Sequence, residues 1–161
     1  MIVKEIRDED FTSYKKPSMV IGFPSCTFKC ERDCGQKMCQ NSTLTNFPDI
    51  FIKTYTLCLR YLSNNITKAI VCGGLEPMDS FEELYSFIYT LRFQYKCNDD
   101  VVIYTGYTKE ECVANDWIYK LAHLNNIVIK FGRFIPGQQP HYDEVLGIKL
   151  ASDNQYAERI S

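Results

Sequence analysis

The sequence predicts an α/β fold built on a mostly parallel sheet, left open on one side rather than closed into a full barrel. Three observations carry this. Four short apolar runs, MVIGF (19–23), AIVCG (69–73), VVIYT (101–105) and IVIKF (127–131), are rich in β-branched or aromatic residues and do not alternate with polar ones. That is the pattern of parallel strands covered on both faces. Helical stretches joined by short turns separate them, which implies a sheet wound in right-handed crossovers. Four or five strands are too few to close a barrel around a small molecule.

The elements follow in order. Residues 48–63 place Phe51, Tyr55, Cys58 and Leu62 on one stripe, with Pro48 suited to a first helical turn. Residues 80–96 repeat the pattern with Phe81, Leu84, Ile88, Leu91 and Tyr95. Ser80 with Glu83, and Thr108 with Glu111, offer capping boxes. The helical stretch after Thr108 is expected to break near Asn115 and resume through Trp117, Leu121 and Leu124. A last strand is expected over 147–152. With no repeat, low-complexity tract or linker, residues 1–161 read as a single domain.

Hydrophobic residues make up 45% and charged residues 24% of the 161, an ordinary globular composition. The formal net charge of −2, with basic residues scattered, argues against a nucleic-acid partner. No apolar run approaches bilayer-spanning length, so no membrane partner is expected. The opening MIVKEIRDEDF has no apolar segment of signal-peptide length, so a cytoplasmic location is expected. Structural disulfides are rare there.

That expectation bears on SCTFKCERDCGQKMCQN (25–41), which holds four of the eight cysteines: Cys26, Cys30, Cys34 and Cys39. Clustered thiols in a reducing compartment point to metal or redox chemistry. Zinc would take all four in a closed tetrahedron, making the segment an interaction module. Zinc sites, however, pair their cysteines across two separated knuckles, and these four lie on one continuous loop. An iron–sulfur cluster held by three thiolates would leave one iron open to a small molecule. Cys58, Cys72, Cys97 and Cys112 read as structural filler.

In a parallel sheet, ligands gather beyond the carboxyl ends of the strands. The cysteine segment follows the first apolar run, GGLEP (73–77) the second, TGYT the third and GRFIPGQQ the fourth, so the unusual residues share one rim. On their own, GGLEP reads equally as a strand-to-helix turn and Thr105 as a strand cap. Lys130 is a charge within an apolar strand, an expensive placement unless it is paired or snorkels to solvent.

Cys26-x-x-x-Cys30 with a third cysteine following resembles the cluster loop of the radical S-adenosylmethionine enzymes. GFPSCTFKC, CQN (39–41), GGLEP, VVIYTGYTKEE (101–111), GRFIP (132–136) and SDNQ (152–155), in that order, resemble the activating proteins of anaerobic ribonucleoside-triphosphate reductase, a glycyl-radical activase family. The resemblance implies a radical-S-adenosylmethionine-type partial, open (βα) barrel, with a 4Fe-4S cluster and S-adenosylmethionine as cofactors. It also implies a glycyl-radical enzyme as protein substrate and an electron donor such as flavodoxin or ferredoxin. Its cluster ligands carry over to Cys26, Cys30 and Cys39, with Cys34 as the alternative third. Cys39 is preferred because Gln40-Asn41 follow it and the apolar Met38 precedes it, where such enzymes place a residue beside the adenine. The spacing departs from the family, which usually has two residues between its second and third cysteines. GGLEP resembles the motif that cradles the methionine ammonium group, which implies roles for Gly73, Gly74 and Glu76. Leu75 interrupts that motif and leaves open which glycine touches ligand. Thr105, Lys130, Ser152 and Asn154 complete the implied cofactor set. A non-catalytic electron-transfer or scaffold cluster protein stays open as the alternative.

Overall fold

A computed structural model describes residues 1–161. In chain order the elements are β1 (Ile2–Val3), β2 (Glu5–Asp10), β3 (Ser18–Phe23), α1 (Lys29–Cys34), β4 (Ile50–Phe51), α2 (Thr54–Leu62) and β5 (Ala69–Gly74). They continue with α3 (Phe81–Tyr89), β6 (Asp100–Tyr104), α4 (Lys109–Ala114), α5 (Trp117–Ala122), β7 (Ile127–Phe131), β8 (His141–Asp143), β9 (Ile148–Leu150) and β10 (Tyr156–Arg159). Six strands form one sheet in the order β10-β7-β6-β5-β3-β2. Its four central strands are parallel, and an antiparallel strand flanks each side. The sheet is open at both edges.

The register sorts side chains onto two faces. Ile21, Cys72, Ile103 and Ile129 align across the sheet and pack under the helices, in a core with Leu84, Phe87, Ile88 and Leu91. Each such fully buried side chain contributes about 2 kcal/mol. Val20, Val71, Val102 and Val128 form the opposite row. They are covered by Tyr14, Leu146 and Leu150, from the 11–17 segment and the β8–β9 hairpin. One step further along the strands on this second face stand Gly22, Gly73, Tyr104 and Lys130. This places Gly73 and Lys130 at the carboxyl rim.

Three expectations change. The 147–152 strand is β9, which pairs antiparallel with β8 in a separate hairpin. The helix expected from 48 starts at Thr54, because Ile50 and Phe51 pair with Val3 and Ile2 and the N-terminal amine binds the Ile52 carbonyl at 2.9 Å. Its buried stripe is Leu57, Cys58 and Tyr61, while Phe51 is 78% exposed. Ser80 makes no cap; Glu76 caps the preceding 3-10 turn (Pro77–Ser80) through the Met78 amide. The Thr108–Glu111 capping box and the break at Asn115–Asp116 form as expected. No helix is long and apolar enough to cross a membrane.

Candidate functional site

A cavity of about 420 Å³ opens at the carboxyl rim of the parallel strands, between the cysteine segment and the second face of the sheet. Cys26, Cys30, Met38 and Cys39 line one side. Gly73, Gly74, Glu76, Thr105 and Lys130, from the ends of β5, β6 and β7, line the other. Cys34 is exposed and lies away from the cavity, its thiol directed to the Gln36 carbonyl at 3.4 Å. Ser152 and Asn154 are not brought to the wall. The Ser152 hydroxyl donates to Asn154 Oδ1 at 2.7 Å, and Asn154 Nδ2 donates to the Arg133 carbonyl at 2.8 Å, so both tie the 132–136 segment to the chain's end.

The cysteine segment is docked by polar contacts at each stage of its path. The Glu76 amide donates to the Ser25 carbonyl at 2.8 Å, and the Thr27 amide donates to Asp79 at 2.7 Å. Asp79 also accepts the Tyr107 hydroxyl at 2.6 Å. On the way out, Asn41 Nδ2 donates to the Gly74 carbonyl at 2.7 Å. Lys29 of α1 pairs with Glu111, which also receives Arg133 at 2.9 Å.

Glu111 thus caps α4 and clamps the cysteine helix in one carboxylate. Burial alone would raise its pKa, but Arg133 and Lys29 outweigh that and hold it at about 2, down from 4.5. A carboxyl depressed on folding stabilises the fold above its unfolded pKa and stops doing so as the pH falls through its folded value. The clamp is therefore at full strength above about pH 4.5 and fades towards pH 2. Glu111→Gln should cost about 1 kcal/mol at neutral pH after solvent screening. It should also flatten the acid-side fall in melting temperature that the native chain shows; parallel acid-side curves would contradict the clamp.

Two of the cavity thiols, Cys26 and Cys30, are biased towards their neutral form. Burial pushes Cys26 up to about 12, and burial with the neighbouring Cys39 raises Cys30. Such thiols lose their protons to a metal rather than to solvent, so loading is coupled to proton release. No three Cys, His, Asp or Glu side chains converge tightly enough to hold a single ion.

The two glycines differ. Gly74 has φ +84°, and a Cβ there would lie 2.6 Å from Gly22 Cα. A Cβ on Gly73 would meet only Tyr104 Cβ, at 3.7 Å, and would stand at the cavity wall. Gly74 thus serves the fold, and Gly73 leaves room in the cavity.

Glu76 is buried, accepting from the Met78 amide at 3.0 Å, Thr105 Oγ1 at 2.7 Å and the Gly106 amide at 2.8 Å. Burial nevertheless pushes its pKa up to about 7. Thr105 is fully engaged, since its hydroxyl also accepts the Tyr107 amide at 3.0 Å. Lys130, 7% exposed, donates from Nζ to the Gly132 carbonyl at 2.7 Å, the ammonium's one hydrogen bond within the chain. An ammonium carries three donors, and burial lowers this one's pKa to about 8. Lys130 therefore presents unspent donors beside the cavity, as a site for an anion requires.

The family whose model matches is the 4Fe-4S single cluster domain, over residues 19–155. The chain belongs to this family. No curated protein and no solved structure matches it. The match runs from β3 to Gln155 and takes in the whole cavity wall except Glu5 and Arg7 of β2 and Ser13. For a 4Fe-4S single cluster domain, the donor chemistry fits: the soft thiols of one loop share one cavity. The loop's docking residues escape sequence reading. Lys29 and Glu111 are 82 residues apart, and only the fold pairs them. Tyr107 and Arg133 sit in motifs quoted above without a role, and Asp79 lies outside those motifs.

Proposed function

We propose that this 4Fe-4S protein cleaves S-adenosylmethionine reductively and installs a glycyl radical on a partner enzyme, an anaerobic ribonucleotide reductase by resemblance. The observation that carries the reading is one cavity shared by three loop thiols, an open glycine wall, a buried carboxylate and a buried ammonium with free donors.

Cys26, Cys30 and Cys39 would hold three irons and leave the fourth open. When bound and reduced, such a cluster supplies the electron that splits the sulfonium bond, giving methionine and a 5′-deoxyadenosyl radical. The chain's own residues bind and orient. The strand edge at Gly73 and the Glu76 carboxylate accept from the substrate's ammonium group, which draws Glu76 fully into its ionised form. Lys130 donates to its carboxylate, and Met38 packs against the adenine. Thr105 works through Glu76, holding its carboxylate in place. Ser152 and Asn154 shape the 132–136 wall from behind.

The partial, open (βα) barrel belongs to this reading, since the uncovered side admits a loop of a protein substrate that shields the radical. So do a flavodoxin or ferredoxin as electron donor and a cytoplasmic location. One observation favours a second reading, a cluster protein that transfers electrons without cleaving the cofactor: Glu76 already spends its carboxylate on three internal donors. The test is anaerobic reconstitution, reduction with dithionite and addition of S-adenosylmethionine. 5′-Deoxyadenosine and methionine should form in equal amounts. A fully loaded protein that leaves the S-adenosylmethionine intact overturns the proposal in favour of the second reading.

A further inference from the structure

Eight residues, 31–38, separate Cys30 from Cys39, yet both thiols line the same cavity. The two ends of this excursion are held differently. Cys30 sits on α1, so the helix sets its direction. Cys39 lies in irregular chain, between exposed Gln36–Lys37 and exposed Gln40–Asn41.

One side chain spans the gap. Glu31, next to Cys30 on α1 and half-buried, accepts both the Cys39 amide at 3.1 Å and the Met38 amide at 3.3 Å on the same oxygen, Oε1. The Glu31 carbonyl also accepts the Gly35 amide at 2.9 Å, which ends α1 and turns the chain back. Hydrogen bonds to an ionised carboxylate are roughly twice as strong as neutral ones. Two of them on one atom fix the amide side of Cys39 to the helix that carries Cys30. Nothing comparable draws Cys34 inward, since its side chain faces solvent.

We propose that Glu31 is a positioning residue for the third cluster thiol: its carboxylate closes the 31–38 excursion so that Cys39, and not Cys34, stands beside Cys30. This rests on Cys39 being a cluster ligand. The stitch makes a long loop present its thiols as a shorter one would. The same contacts hold Met38 at the cavity wall, so one carboxylate orders both a metal ligand and an apolar wall residue.

The test compares Glu31→Ala, Glu31→Gln and Cys39→Ser full chains, reconstituted anaerobically, then challenged with an iron chelator and followed by visible absorbance and iron content. Residues supporting a ligand typically cost 10- to 100-fold in metal affinity when lost, so Glu31→Ala should hold its cluster about 10-fold more weakly. Glu31→Gln keeps an acceptor oxygen and should restore most of it. Melting of the iron-free chains should be alike, because Glu31 is not part of a core. Wild-type retention in Glu31→Ala, failure of Glu31→Gln alongside it, or a matching drop in iron-free melting temperature would each overturn the assignment. Cys39→Ser separates the two levels. If it loses the cluster while Glu31→Ala keeps it, only the stitch fails. If it keeps a full cluster, the ligand reading itself fails.

Discussion

Serine in place of Cys26, Cys30 or Cys39 is expected to leave a folded chain that cannot retain an intact 4Fe-4S cluster, while Cys34→Ser reconstitutes like the native protein. The contrast follows from placement. The first three thiols line the cavity, and Cys34 is exposed and turned to the Gln36 carbonyl. A serine hydroxyl is a poor, hard donor for iron that prefers thiolate, and three ligands leave no spare to replace the one lost. Folding should survive, because none of the four belongs to the buried core and the sheet is built without them. Iron and acid-labile sulfide per chain, with far-ultraviolet circular dichroism alongside, decide it. Retention by Cys39→Ser and loss by Cys34→Ser would exchange the two thiols' roles.

The second large effect divides adjacent glycines. Gly74→Ala should destabilise the iron-free chain by about 3 kcal/mol, combining a strained positive φ with a Cβ forced against backbone. The contact is severe, 2.6 Å from Gly22 Cα and 2.9 Å from the Phe23 amide, and β3 cannot retreat without opening its pairing with β5. Gly73→Ala meets only ordinary contact and should be neutral or raise stability by about 0.5 kcal/mol through the unfolded chain's lost freedom. Its methyl group enters the cavity, so S-adenosylmethionine affinity of the loaded protein should fall while the cluster stays whole. Thermal melts and equilibrium binding separate the two. Equal destabilisation by both substitutions would remove the distinction, and unchanged affinity in Gly73→Ala would remove the ligand role of this wall.

Much of the fold could be read from the chain because its central strands are buried twice over. Residues shielded on both faces leave an unbroken apolar run, and the bounds of β3, β5, β6 and β7 depart from those runs by no more than one residue. The two flanking strands carry no such mark. EIRDED and YAER lie at sheet edges, where charge is tolerated and discourages further pairing. Phe51 continues a helical stripe on paper, but its pairing with Ile2 of β1 captures it first. The site was legible where topology forces it, since loops after successive parallel strands must meet at one rim. Lys130 stood out because a lone charge in an apolar strand demands a reason. The stitch by Glu31 and the clamp at Glu111 could not be read, for they depend on side chains reaching across turns and across 82 residues. Ser152 and Asn154 share the rim's neighbourhood in sequence, yet their polar groups are consumed behind the wall.

Paramagnetic resonance of the anaerobically reduced, fully loaded protein, recorded before and after adding S-adenosylmethionine, tests whether one iron is open to the cavity. A cluster with one iron open to the cavity should give a signal whose shape changes on addition, because a ligand enters that iron's coordination. A spectrum that stays the same at saturating S-adenosylmethionine would mean that no iron is open to it and that the cavity does not serve S-adenosylmethionine cleavage.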